Sequence, residues 1–226
     1  MNKKLIVAID GPAGSGKSTV THLVARRLGY LHIDTGALYR AIALRAQEQG
    51  VGIEQAQRLG ELALQSKLEF QWLEDRNQVF LDGRNVSSLI RTPEMSMAAS
   101  KISAHPEVRA ALLGVQRDMG KNGGVVLEGR DIGTVVFPNA HVKFYLNATV
   151  DSRARRRMVE LEEKGIFLDF EEVKKQVVER DRGDMERKAA PLRKAEDAIE
   201  VDTTSMTVEQ VVDALTSIVL EKQRQG

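Results

Sequence analysis

The sequence predicts an α/β fold in which short buried strands alternate with helices around a parallel sheet. Three observations carry that prediction. A continuous apolar run, Leu5-Ile6-Val7-Ala8-Ile9, leads into the glycine-rich turn Gly11 to Gly16. Further short strand candidates recur downstream, with helical stretches between them. One stretch, Leu68 to Pro93, breaks the rhythm and reads as a small antiparallel insert.

Leu5 to Ile9 has no polar alternation, which suits a strand covered on both faces. Ser18 to Leu28 follows as a helix with Gly29 as its stop. Leu31 to Asp34 is the next strand, and Gly36 to Gln49 is a helix closed by Gly50. The insert reads Leu68-Glu69-Phe70-Gln71-Trp72-Leu73, a turn at Glu74-Asp75-Arg76-Asn77, then Val79-Phe80-Leu81, Asp82-Gly83 and Val86. Short strands joined by turn residues are a meander pattern, and Trp72 is expected in its core. Val125 to Glu128, Val142 to Leu146 and Ile199 to Asp202 complete the strand candidates. Asp151 to Arg187 is charged and helical, broken into two helices at Lys164-Gly165. The tail from Gln223 to Gly226 is expected to fray.

Bulk properties bound the function. The chain has 226 residues, 42% hydrophobic and 29% charged, enough for one large domain or one domain with a small insert. Lys and Arg (33) balance Asp and Glu (32), so no global field favours nucleic acid or a membrane surface. The absence of cysteine excludes disulfides and thiolate metal sites. His22, His32, His105 and His141 lack metal-ligand spacing and read as packing or surface residues. The first apolar run is too short for a signal peptide and nothing approaches a span of about 20 apolar residues. A soluble, cytoplasmic protein is expected.

Gly11-Pro12-Ala13-Gly14-Ser15-Gly16-Lys17-Ser18, followed by Thr19, matches G-x-x-x-x-G-K-S/T between a buried strand and a helix. This is a P-loop, the cradle of P-loop NTPases. Its backbone N–H groups and the helix N-terminus form an anion site, and glycine lets the chain approach phosphate closely. Lys17 is placed for the β- and γ-phosphates of ATP, and Ser18 offers a hydroxyl to Mg²⁺. No N-K-x-D string occurs, which argues against a GTPase. A motor or helicase ATPase stays open, because Val125-Val126-Leu127-Glu128 ends a strand in an acid.

Transfer between two nucleotides needs further cations, preferably planar forks that pair with phosphate oxygens. Asp34-Thr35-Gly36-Ala37-Leu38-Tyr39-Arg40 opens a helix. Glu128-Gly129-Arg130-Asp131-Ile132-Gly133-Thr134 follows a buried strand at its carboxyl end, where open α/β sheets bind ligands. Arg153, Arg156 and Arg157 share a helix face, with Arg155 beside them, as do Arg180, Asp184 and Arg187. The last two sets also read as solvated faces paired with neighbouring acids such as Glu160, Glu162, Glu163, Asp181 and Glu186.

These segments together, with Ile90-Arg91-Thr92-Pro93-Glu94, Arg180-Asp181-Arg182 and Ala190-Pro191-Leu192, resemble the bacterial cytidylate kinase family over nearly the whole chain. The resemblance implies a five-stranded parallel sheet core flanked by helices, a helical lid and a small β insert in the monophosphate-binding region. It implies one kinase unit with its core at 1–35 and 105–226, the lid at about 150–187, the monophosphate region at 36–104 and the insert at about 68–93. The implied reaction is ATP plus CMP or dCMP giving ADP plus CDP or dCDP, with Mg²⁺, by a monomer. Thr35, Arg40 and Arg130 match positions near the acceptor phosphate, and Ser100, Arg109 and Asp131 match those that read cytosine. Arg180 and Asp184 match sugar and phosphate contacts, with Arg187 completing that face. Lys17, Arg130 and the lid arginines Arg153 and Arg157 are implied to be catalytic. Asp131 suits cytosine, whose N4 amine donates to a carboxylate, whereas uracil offers an acceptor there. Another small P-loop kinase and a non-catalytic ATP switch are the competing readings.

Overall fold

A computed structural model of the chain describes residues 4–73 and 76–225. The turn expected at Glu74 and Asp75 and the end of the tail at Gly226 lie outside the described residues. In chain order the strands are β1 (Ile6–Asp10), β2 (Leu31–Asp34), β3 (Leu68–Leu73), β4 (Arg76–Leu81), β5 (Arg84–Asn85), β6 (Val125–Gly129), β7 (Val142–Asn147) and β8 (Ile199–Asp202). The helices are α1 (Lys17–Leu28), α2 (Thr35–Glu48), α3 (Ala56–Gln65), α4 (Pro93–Ile102), α5 (Pro106–Gly120), α6 (Val150–Glu162), α7 (Phe170–Glu186) and α8 (Val208–Gln225). A single π-helical turn, Ile132–Val136, follows β6. The chain forms two compact units, Met1–His32 with Gly123–Gly226, and Ile33–Asn122.

A five-stranded parallel sheet has the order β2-β6-β1-β7-β8. The central strand β1 buries Val7, Ala8 and Ile9 completely, which is why its sequence shows no alternation. Val20 and Val24 of α1 and Val211, Leu215 and Val219 of α8 share a core with Phe144 of β7. Asp10 aligns with Gly129 and with Tyr145, so β1 and β6 end together, β7 runs on to Asn147, and their following loops leave from one edge. That edge is where a parallel sheet builds its site. The stop expected at Gly29 is a left-handed cap, φ +64°, with Gly29 N–H donating to Arg26 O and Tyr30 N–H to Ala25 O.

Helices α6 and α7 form a hairpin with an apolar seam of its own, built on Ala154, Leu161 and Val173 with Met158, Ile166, Leu168 and Phe170 against it. The break at Lys164-Gly165 is real. Gly165 has φ +73° and Ile166 N–H turns back to Leu161 O. Thr149 and Asp169 cap the two helices with their side chains.

The second unit packs α2, α3, α4 and α5 with the three-stranded antiparallel sheet β3-β4-β5. Asp82 and Gly83 both have positive φ, 50° and 81°, the geometry a two-residue hairpin turn demands. The sheet ends at Asn85, and after an intervening turn Thr92 caps α4, whose first residue is Pro93. Trp72 is not core: it is 41% exposed. Burial fades along β3 from Leu68 to Leu73 as the strand runs past the helices that cover its start. This unit continues through α5 to Asn122. Helix α5 lies along α3 so closely that a Cβ on Gly60 would stand 2.8 Å from Glu107 Cβ. Among the described residues no helix is long and apolar enough to cross a membrane.

Candidate active site

The loop Gly11 to Gly16 joins β1 to α1 at the carboxyl edge of the sheet. Gly11 has φ +152°, and a Cβ there would lie 2.1 Å from Leu146 O, so a side chain is excluded by β7 itself. Gly16 caps α1 without a side-chain bond, which leaves the positive helix end for an anion. Lys17 is buried, and its ammonium donates to Pro12 O (2.6 Å) and Ser15 Oγ (3.1 Å). Burial, reinforced by the nearby Arg130, pushes its pKa well below the ordinary lysine value. A polyanion in the cradle would reverse that pressure.

Ser18 Oγ donates to Glu128 Oε2 (2.7 Å), and His32 Nε2 lies 2.9 Å from Glu128 Oε1. Glu128 and His32 are both buried. The ring of His22 stands edge-on to that of His32, with centroids 6.1 Å apart. The hydroxyl expected to meet a metal is thus bonded to a buried carboxylate, and the oxygen-only pair Ser18 and Glu128 fits a hard divalent cation.

Asp10 at the end of β1 accepts Ile132 N–H (2.8 Å) and Gly133 N–H (2.7 Å). Burial raises its pKa to about 6 against the pull of those two N–H groups. The bonds anchor the π-turn, and with it the preceding Arg130 and Asp131.

Arg130 Nε donates to Asp184 Oδ2 at 2.7 Å. Arg187 donates to Asp131 Oδ1 (3.3 Å) and to Ala190 O (2.8 Å), and lies 3.9 Å from Asp184 Oδ1. Ala190 has φ +49°, a left-handed conformation that an alanine adopts only under constraint. Leu192 N–H returns to Asp184 O, so the Ala190-Pro191-Leu192 loop folds back on α7 and holds Arg187 in place. Burial would raise the Asp184 pKa, but Arg130, Arg180 and Arg187 together hold it below its ordinary value.

The hairpin arginines separate. Arg153 is 5% exposed and donates to Ala148 O and Ala13 O, both at 3.0 Å, and to Asp181. Arg156 grips Thr203. Arg157 pairs with Glu160 at 2.9 Å and is the ion pair that the solvated-face reading anticipated. Arg180 stands on α7 close enough to Lys17 and Asp184 to perturb both.

In the second unit, Thr35 is buried at the start of α2, where Asp34 accepts Ala37 N–H (3.2 Å) and Arg40 (2.6 Å). Arg109 on α5 donates to Ser103 O, and its guanidinium lies 5.7 Å from the Tyr39 ring centroid. Ser100 is on α4, one turn before Ser103.

The profile of the cytidylate kinase family matches residues 7–221. The chain belongs to that family. The cytidylate kinase of Citrifermentans bemidjiense is 50% identical over 98% of this chain and 95% of its own length. That of Syntrophotalea carbinolica is 48% identical over 99% and 95%. A gluconokinase structure from Sinorhizobium meliloti, 13% identical with a TM-score of 0.51 over 100% of this chain and 97% of its own, shares the fold.

For a cytidylate kinase chain, most residues singled out from the sequence fall into two local groups. Lys17, Ser18, Arg130, Asp131, Arg153, Arg157, Arg180, Asp184 and Arg187 lie in the first unit. Thr35, Arg40, Ser100 and Arg109 lie in the second. Sequence reasoning gave no site role to three buried residues: Asp10, His32, read as packing or surface, and Asp181, read as a partner on a solvated face. His32 meets Glu128 across 96 residues of chain, a pairing that no local pattern announces.

Proposed function

We propose that the chain transfers the γ-phosphoryl group of ATP to CMP or dCMP by direct in-line displacement. One observation carries the reading most strongly. The P-loop lysine and a buried cluster of Arg130, Asp131, Asp184 and Arg187 are built into the same unit, a donor cradle with a second set of anion-binding forks. A phosphate oxygen of the acceptor is already ionised, so it forms the new P–O bond without a strong base. The bond from the γ-phosphorus to ADP breaks, and ADP leaves with the electron pair. Lys17, Arg130 and Arg157 neutralise the charge spread over the transferring group. Arg40 and Thr35 serve the acceptor phosphate, with Arg180, Asp184 and Arg187 around its phosphate and sugar. Asp131, Ser100 and Arg109 read the base.

Ser18 and Glu128 would hold Mg²⁺, which when bound supplies charge neutralisation at the β- and γ-oxygens. Glu128→Gln is expected to raise the Mg²⁺ concentration needed for half-maximal rate. Binding of Mn²⁺ to the ADP complex, followed by electron paramagnetic resonance, should weaken in parallel. An unchanged Mn²⁺ affinity would remove Glu128 from the metal's surroundings.

The functional reading is tested by ADP release with CMP, dCMP, UMP, AMP, GMP and shikimate as acceptors. CMP and dCMP are expected to be used best. ATP binding with no turnover on any acceptor would favour a switch instead, and turnover on shikimate alone would favour a different kinase. Asp131→Asn adds an amide donor where cytosine N4 also donates. The CMP-to-UMP ratio of kcat/KM should fall by about 5- to 150-fold, the range for one good base contact. An unchanged ratio means that Asp131 does not read the base.

A further inference from the structure

The Arg180-Asp181-Arg182 segment contains an acid with no part in the proposed reaction. Asp181 is 7% exposed. Its Oδ1 accepts Ala13 N–H at 3.2 Å, and its Oδ2 is paired with Arg153. Arg153 in turn donates to Ala13 O at 3.0 Å. One residue of the P-loop, Ala13, is therefore bracketed from both sides, its N–H by α7 and its C=O by α6. A second observation agrees. Gly14 has φ +72°, and a Cβ there would lie 2.8 Å from Arg153 O, so the backbone of α6 rests on the next residue of the loop.

We infer that Asp181 and Arg153 are positioning residues for the donor nucleotide, acting through Ala13 rather than by touching the phosphoryl group. The chemistry follows from donor and acceptor counting. The Ala13 N–H is committed to Asp181, so the anion cradle begins at Gly14. Arg153 has its Nε on Ala148 O and one terminal nitrogen shared between Ala13 O and Asp181, a geometry that serves the loop. An ion pair buried this deeply keeps its place because both charges are also hydrogen-bonded to backbone. It ties the shape of the donor loop to the docking of the α6–α7 hairpin. This rests on the P-loop binding a nucleotide, and not on which monophosphate accepts.

The test compares ADP binding, by fluorescence of an N-methylanthraniloyl-ADP probe, with CMP binding by calorimetry. Asp181→Asn removes the charge, leaves Arg153 unpaired and can lower stability by itself. The double variant Arg153→Met/Asp181→Leu replaces the pair with apolar volume, an exchange that folds tolerate well. It is expected to melt close to the parent yet bind ADP about 5- to 150-fold more weakly, because Ala13 N–H and C=O have lost their partners. CMP affinity should stay within twofold. Parent-like ADP affinity in the double variant overturns the inference, as does an equal loss for both nucleotides. Arg153→Lys, which keeps the charge but not the fork, supplies an independent arm. ADP affinity should fall there too; a loss of kcat with ADP affinity intact would make Arg153 a catalytic residue and overturn the inference. Failure of the parent to bind CMP would sink the kinase reading while the ADP arms still decide this one.

Discussion

Lys17→Met is expected to lower kcat by about 10²- to 10³-fold, the usual loss on removing one preorganised donor to developing charge. The same variant should melt no lower than the parent. Its ammonium is enclosed by Pro12 O and Ser15 Oγ on one side and by the field of Arg130 and Arg180 on the other. Burial is the largest cause of its lowered pKa, so the surroundings of Lys17 in the folded chain disfavour the ammonium form. Methionine has a similar length and no charge, so it relieves that cost while forfeiting the bonds to Pro12 O and Ser15 Oγ. The sign with pH follows. Between the lowered folded pKa and the ordinary value of 10.5, the unfolded chain binds the extra proton, so parent stability rises with pH in that interval. The methionine variant lacks that contribution. Steady-state kinetics and thermal melts across the alkaline range check both halves. A variant that loses activity only because it unfolds would contradict the assignment of Lys17 as a charge held under strain for phosphate.

Asp184→Asn is expected to cost about 3–5 kcal/mol, the range for breaking a buried ion pair by removing one partner. For a chain of this size that is roughly 6–20 °C in melting temperature. Asp184 is 5% exposed and takes Arg130 at 2.7 Å, so its neutralisation leaves a largely buried guanidinium short of its counter-charge. Burial opposes ionisation of Asp184, but the three surrounding arginines win and depress its pKa. A depressed carboxylate stabilises the fold above its unfolded value of 3.8, and that contribution is lost as pH falls through the lower folded value. Urea denaturation should therefore separate parent and variant widely at pH 7 and bring them together in strong acid. Curves that stay equally separated at both ends would mean that the charge of Asp184 is not what stabilises the cluster.

The fold was legible wherever local chemistry is decisive. Leu5 to Ile9 could only be a doubly buried strand, Gly29 and Gly165 could only be helix breaks, and Asp82-Gly83 could only be a tight turn. Trp72 misled because aromatic content in a strand is a sign of packing on average, while this strand outruns the helices that would cover it.

What the sequence by itself determined is the P-loop, the family, and which arginines and acids to propose for the site, since each rests on residue types at short fixed spacings. Only the tertiary structure decided how those charges are divided. It paired Arg130 with Asp184, Arg187 with Asp131, Glu128 with Ser18 and His32, and Arg153 with Asp181 over the crest of the loop. The physical reason is that a buried charge must find its partner in space. The ends of β1 and β6 and the helices α6 and α7 bring those partners together from segments far apart in the chain.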